Sequence, residues 1–175
     1  MQKNKNLVYF IFLAIYSLFL YLIYSRIGIN THNEAAKYIL AAQELGKGDI
    51  GYTVKHHLFY SSYIFFITVF NQLGGIYSVI FMQACLSFLA AVCLNKTIEL
   101  TIRKKEAAYI GMFIFLVSYP IQIWVLTLFS DSFFVSLSTI TLYYTVKQKS
   151  KNEVFFWAFL LVLLVFARPP GSFLS

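Results

Sequence analysis

Residues 29–58 read INTHNEAAKYILAAQELGKGDIGYTVKHHL, and this polar stretch decides how the rest of the chain is interpreted. It is the longest polar interruption in an otherwise apolar sequence, and it holds all three histidines and three of the seven acidic residues. Long apolar runs surround it. We therefore expect helices that hold this polar loop at one face of a membrane.

The composition is that of a membrane protein. Of the 175 residues, 59% are hydrophobic and 12% are charged, whereas a soluble domain has about 25% charged residues. The net charge of +7 raises the question of nucleic acid binding. The basic residues, however, cluster in short segments between apolar runs, and no basic stripe or RNA-binding motif is present. We expect a polytopic helical bundle and no nucleic acid partner.

Five apolar segments are expected to span the membrane: residues 7–24, 76–94, 107–124, 132–146 and 154–168. The first follows Lys3 and Lys5 and is longer than the apolar core of a signal peptide, which favours an uncleaved anchor. Pro120 and Asp131 divide a long apolar stretch into two spans. The chain is interpreted as one all-α transmembrane domain, and as the N-terminal part of a longer enzyme because it ends soon after the last span.

Two helices are expected in the loop formed by residues 26–75. Residues 31–45 begin with Thr31 and Glu34 in the spacing of a capping box, and they carry one apolar and one charged face, as in a helix that lies on a membrane surface. Residues 58–70 are apolar, but a helix of this length measures roughly 20 Å and is too short for the ~30 Å hydrocarbon core. We interpret them as an interfacial or re-entrant helix that ends before Gly74 and Gly75.

The distribution of charge favours this topology. If residues 58–70 do not span, nine of the 14 basic residues lie on the cytoplasmic side and five lie outside, as the positive-inside rule requires. If they do span, the basic cluster at residues 103–105 and the lysines after Val146 both lie outside. We expect a cytoplasmic N-terminus and an outer first loop.

Two acids are candidates for chemistry, and the predicted topology puts both on the outer side. Glu34 could act as a general base or hold a metal ion, and the capping role is an alternative that is compatible with either. Asp131 interrupts an apolar stretch, where an acid is costly and therefore suggests a function. Its alternative role is the N-cap of the span that follows.

Basic residues flank the same loop. Lys55, His56 and His57 precede the interfacial helix, either as polar anchors among lipid headgroups or as contacts to the phosphate of an anionic lipid or donor. A zinc site that combines these histidines with His32 and Glu34 is a weaker alternative, because the spacing matches no standard zinc pattern. Arg168 closes the last span and could simply snorkel to the membrane surface.

The order of features along the chain adds to this interpretation. An outer acidic helix at residues 33–38 is followed by a polar turn into an aromatic helix at 56–60. A basic inner loop and a span that ends at a proline come next. The outer acid Asp131 then precedes a span that ends in residues 167–171. This order resembles the N-terminal part of the C-type (GT-C) membrane glycosyltransferases. That superfamily includes protein mannosyltransferases and bacterial aminoarabinose lipid A transferases. The resemblance covers nearly all of the chain but is diffuse.

The resemblance implies sugar transfer from a polyprenyl-phosphate donor to a lipid, glycan or protein acceptor at the outer face of the plasma membrane. It implies catalytic roles for Glu34 and Asp131, which would also hold a divalent cation such as Mg²⁺ or Mn²⁺. It further implies substrate binding by Lys55, His56, His57, Tyr60 and Arg168. The family usually has Asp at the position of Asn33, so Glu34 carries the acidic role alone.

We expect the carboxylates of Glu34 and Asp131 within roughly 12 Å of each other, a gap that one ion and its waters could bridge. The cavity between them should be ringed by His56, Tyr60 and Arg168. The alternative functions are a transporter or flippase fragment and a non-catalytic membrane subunit. A transporter would place charged residues near the middle of its spans, whereas here the acids lie at span ends or in loops.

Overall fold

The structure is a computed structural model that describes residues 2–147 and 150–168, without the side chains of residues 2–5. The helices are α1 (Gln2–Ile27), α2 (Glu34–Gly46), α3 (Ile50–His57), α4 (Ser61–Ile102), α5 (Lys105–Val117), α6 (Tyr119–Gln122), α7 (Ser130–Val146) and α8 (Lys151–Val165). Short 3-10 turns cover residues 58–60 and 123–125. These ranges contain no β-strand, so the predicted all-α class is confirmed. Lys149, Pro169, Pro170 and Gly171, and the side chains of Lys3 and Lys5, lie outside the described part.

The long apolar helices are those of an integral membrane protein. Within the described ranges, the segments Asn6–Ile27 and Ile50–Ile102 are long and apolar enough to cross a membrane. The pair Lys105–Val117 and Tyr119–Val125 makes a third candidate if it counts as one bent span. With 17 and 15 residues, α7 and α8 are shorter than a usual span of about 20 residues. The structure thus shows two or three candidate spans, and the number five stays a prediction.

Helix α4 consists of two arms that fold back on each other at Gly74 and Gly75. Gly75 has a φ of 69°, a left-handed conformation that glycine adopts without steric cost. Across the bend, the Ser78 hydroxyl donates to the carbonyl of Phe70. We call residues 61–73 the first arm and residues 76–102 the second arm. The first arm corresponds to the helix predicted over 58–70, and the second extends beyond the predicted 76–94.

Helix α5 does not continue through the predicted span 107–124. It ends at Val117, Ser118 is extended, and the chain bends by 53° into α6. Pro120 explains the break, because its ring clashes with the preceding helical turn and it has no amide hydrogen to donate. Proline is well tolerated in the first turn of a helix, so a new helix can begin there.

The second arm of α4 is the centre of the bundle, and α1 and α7 lie along it. Helix α1 is antiparallel to the arm, because the Tyr9 hydroxyl lies 3.3 Å from Oδ1 of Asn95 and the rings of Tyr16 and Phe88 are 6.1 Å apart. Helix α7 is parallel to the arm and makes the most extensive contact with it. The end of α1 and the start of α7 therefore lie at the same end of the bundle as the bend in α4.

Helix α8 returns along α7. The Trp157 indole donates to the Thr145 hydroxyl at 3.1 Å near one end of the pair, and Arg168 pairs with Asp131 at the other end. The Ser62 hydroxyl, on the first arm, donates to the carbonyl of Leu163 at 2.9 Å. The start of α4 and the end of α8 thus also meet at the end of the bundle that holds the first loop.

The predicted capping box at Thr31 is wrong. Helix α2 begins only at Glu34, and Asn33 precedes it with a φ of 58° and without a side-chain capping bond. The backbone of Asn30 pairs with Leu126 and Leu128, which keeps the chain before the helix extended. A capping box is present instead at Ser150, whose spacing to Glu153 is the same four-residue signature.

Candidate functional site

The polar end of the bundle is built by joining the first loop to the segment between α6 and α7. The amide of Asn30 donates to the carbonyl of Leu126 at 3.1 Å, and the amide of Leu128 donates to the carbonyl of Asn30 at 3.3 Å. These bonds connect residues that are nearly 100 positions apart in sequence. They fix the start of the acidic helix α2 beside the start of α7, which carries Asp131.

Asp131 is paired with Arg168. The Arg168 guanidinium donates to Oδ1 of Asp131, and the two side chains are 27% and 26% exposed. Helix α7 is preceded by Phe129, and no side chain caps it, so the alternative of Asp131 as an N-cap is wrong. The ion pair instead joins the start of α7 to the chain just after α8. Partial burial strengthens such a charge-assisted bond, because water screens it less.

Tyr38 packs the acidic helix α2 on the aromatic residues at the start of α4. Its ring lies 5.2 Å from that of Tyr60 and 5.6 Å from that of Tyr63. Burial raises the pKa of Tyr38 above its ordinary value, the nearby Tyr60 and the Glu34 carboxylate raise it further, and a contact with Ser130 opposes part of the rise. Tyr38 is therefore neutral at physiological pH and keeps its proton. Both Glu34 and Ser130 influence its pKa, and Ser130 precedes Asp131 in the sequence.

The acidic side chain of Glu34 is exposed, whereas the opposite face of α2 is buried. That buried face packs on the first arm of α4, where the Thr68 hydroxyl donates to the carbonyl of Ala42 at 3.2 Å. A rigid helix thus presents the Glu34 carboxylate to solvent at the end of the bundle that also holds Asp131. Glu34 is open to solvent, whereas Asp131 is neutralised by its partner.

The basic residues of α3 form a separate cluster in the first loop. The ring of Tyr52 lies 5.0 Å from that of His56 and 6.1 Å from that of His57. Burial lowers the pKa of His57, and the nearby His56 and Lys37 lower it further, so His57 is neutral at pH 7. Lys55 and His56 are exposed, and in the described part of the chain neither forms an ion pair with an acid. The structure brings Tyr60 to Tyr38 and Arg168 to Asp131.

The predicted metal site stays a prediction. In the described ranges, no group of three or more His, Cys, Asp or Glu side chains that could hold an ion is found, and the zinc site of His32, His56, His57 and Glu34 considered above also stays untested. Of the two acids predicted to hold an ion, Glu34 is exposed. The other, Asp131, already has the positive charge of Arg168 beside it.

Gln83 is a positioning residue that the sequence analysis missed. It lies in the second arm of α4 and is 1% exposed. Its Nε2 donates to the Ser132 hydroxyl at 2.9 Å and to the carbonyl of Val125 at 3.2 Å, and its Oε1 accepts from Tyr63 at 3.0 Å. One amide thereby fixes both α7 and the first arm. The available signal was a glutamine within a predicted span, where polar side chains join helices.

Comparison with known proteins gives no independent identification. No protein-family model, no curated protein and no solved structure matches this chain. The assignment of a function therefore depends on the chemistry of the polar end of the bundle.

Proposed function

We propose that this protein is a membrane glycosyltransferase that moves a sugar from a polyprenyl-phosphate donor to an acceptor hydroxyl at the outer face of the plasma membrane. The observation that carries the proposal is the placement of an exposed acid, Glu34, on a rigid helix at the same end of an apolar bundle as the Asp131–Arg168 pair. A transferase that acts on lipid-linked sugars needs such an acid beside basic groups at a membrane face.

The proposed reaction is an inverting displacement at the anomeric carbon of the donor sugar. The Glu34 carboxylate accepts the proton of the acceptor hydroxyl, the hydroxyl oxygen forms the new bond to the anomeric carbon, and the bond to the phosphate oxygen breaks. Polyprenyl phosphate leaves with the bonding electrons. Lys55 and Arg168 supply positive charge on this face, and His56 adds a hydrogen-bond donor for the phosphate. Phosphate is a good leaving group, so positioning and charge neutralisation contribute most of the acceleration.

Glu34 acts directly as the base in the proposed reaction. A cation shared by Glu34 and Asp131 would have to compete with Arg168, which already binds the Asp131 carboxylate. Asp131 is assigned a positioning role, since it orients Arg168 toward the phosphate of the donor.

We further propose five spans, with the N-terminus in the cytoplasm and the first arm of α4 as an interfacial helix. The antiparallel course of α1 along α4, and of α8 along α7, supports this topology. So does the sharp reversal at Gly75, because the first arm then begins and ends near the first loop, and only the second arm leads to the opposite end of the bundle.

A cysteine at Leu100 is expected to resist an impermeant maleimide added to intact cells, because the topology places that end of α4 in the cytoplasm. The background lacks Cys85 and Cys93. Val54→Cys in α3 is the matched control, since Leu100 and Val54 are 50% and 52% exposed. It should react readily from outside. Equal labelling of both positions before permeabilisation would show that the proposed topology is wrong.

The activity is tested with the purified protein in proteoliposomes. Radiolabelled polyprenyl-phosphate sugars, both hexoses and pentoses, are supplied with membrane lipid and glycan acceptors. Transfer of label to an acceptor from at least one donor is the expected result. Failure of every donor to react, with the protein folded, would favour a transporter or a non-catalytic subunit.

A further inference from the structure

A groove opens beside the end of α1 that adjoins the first loop. It has a volume of about 340 Å³ and is lined by Phe19, Leu22, Ile23, Arg26, Ile27 and Tyr119. The bend after Val117 produces it. Helix α5 lies beside α1 where Phe12 stacks on Tyr109, but the chain then turns away by 53° and leaves the last turns of α1 uncovered.

The lining of this groove is apolar except at its end. Arg26 is the single charged residue among those that line it, and it stands in the last turn of α1. In the part of the chain that the structure describes, no carboxylate pairs with Arg26. A guanidinium that terminates an apolar groove matches a ligand with a hydrocarbon chain and an anionic phosphate, since arginine binds phosphate through two parallel hydrogen bonds.

A second and larger cavity adjoins the first, since Ile27 lines both. It has a volume of about 650 Å³ and reaches Asn30, His32, Asn33 and Trp124 in the first loop and the segment before α7. The rings of Trp124 and Phe129 are stacked at 5.5 Å. An aromatic wall next to two amide side chains suits a sugar, because its C–H face packs on the indole while its hydroxyls bond to the amides.

We propose that these two cavities form one binding site for a single-chain lipid with a phosphate-linked sugar. The hydrocarbon chain lies along α1, Arg26 binds the phosphate, and the sugar occupies the larger cavity against Trp124. This inference rests on the proposed function for the identity of the lipid. It moves the principal phosphate contact to Arg26, which is one of the five basic residues that the predicted topology places on the outer side.

The dimensions favour one chain over the two chains of a phospholipid. A volume of about 340 Å³ is at the low end for a site that takes a small molecule. A phospholipid headgroup would also leave the sugar-sized, polar part of the site empty. The adjoining cavity is lined by His32 and Asn33, the two residues that precede Glu34 in the sequence. In the proposed reaction, Glu34 would remove the proton of the acceptor that attacks this sugar.

The experiment measures binding of polyprenyl phosphomannose to the whole protein in detergent by the fluorescence of Trp124, with Trp157→Phe to remove the other tryptophan. Arg26→Gln should weaken binding about tenfold or more, because a charge-assisted bond to phosphate is lost. Arg26→Lys should retain most of the affinity. Arg103→Gln removes an exposed arginine just after α4, at the other end of the bundle, and should change nothing.

Two competing lipids identify the occupant. A polyprenol without phosphate should compete weakly, and a two-chain phosphatidic acid should also compete weakly. Equal competition by phosphatidic acid would show that the site binds bulk lipid. An unchanged affinity of the Arg26→Gln variant would show that Arg26 does not bind the phosphate. Either result overturns the proposal. If Arg26 proves essential for binding but no transfer occurs, the binding site stands and the proposed function fails. If transfer occurs and Arg26→Gln binds normally, the function stands and this site does not.

Discussion

Replacement of Glu34 by glutamine is expected to reduce sugar transfer at least 100-fold, since a positioned general base contributes about 10²–10⁴-fold to a rate. Glutamine keeps the size and the hydrogen-bonding capacity of the side chain but accepts no proton. Glu34 is exposed and makes no capping bond, so the variant should fold normally. The measurement is the initial rate of transfer of labelled sugar, with helicity as a check of folding.

Glu44→Gln provides the matched control. Glu44 lies on the same helix, and in the described part of the chain its carboxylate pairs with Lys47, three residues further on, at 2.8 Å. An exposed pair of this kind contributes little to stability, so transfer should continue at the wild-type rate. If Glu34→Gln retained the wild-type rate as well, Glu34 would have no catalytic role.

The second large effect is expected at the Asp131–Arg168 pair. Asp131→Asn leaves the Arg168 guanidinium partly buried without its carboxylate, which should lower the free energy of unfolding by about 1–3 kcal/mol. Transfer should fall further than this loss of stability explains, because Arg168 is no longer held toward the donor phosphate. The double variant with Arg168→Gln should lose less stability than the two single losses added together, since the two side chains act as one unit.

The Lys147–Glu153 pair is the control for a purely structural effect. It joins the end of α7 to the start of α8, at the opposite end of the bundle, and its side chains are 36% and 29% exposed. Lys147→Gln should lower stability modestly and leave transfer by the folded protein unchanged. If Asp131→Asn behaved like Lys147→Gln, the pair would be a structural link and not part of a site.

Local sequence signals predicted much of the fold. The apolar runs predicted helices that the structure places at closely similar positions, and Gly75 and Pro120 produce breaks by local steric rules that sequence alone reveals. The faces of α2 were predictable because their periodicity is helical, and Ala35, Tyr38 and Ala42 are buried as the pattern indicates.

Long-range contacts were not predictable in the same way. Nothing near Thr31 reveals that Asn30 pairs with Leu126, and this pairing moves the start of α2 to Glu34. The partner of Asp131 was equally hidden, because Arg168 lies 37 residues away and a carboxylate at the start of a helix has the same local pattern whether it caps or pairs. The sequence therefore indicated which residues are chemically unusual but not which of them meet.

The central claim is that Glu34 and Asp131 belong to one site on the outer face of the membrane. The most direct test places cysteines at both positions, in a background without Cys85 and Cys93, and adds an impermeant bismaleimide with a reach of roughly 12 Å, the span of one ion and its waters, to intact cells. Mass spectrometry of the digested protein should show the two peptides linked within one chain. Labelling of Glu34→Cys alone, with Asp131→Cys reactive only after permeabilisation, would place the acids on opposite faces and contradict the account.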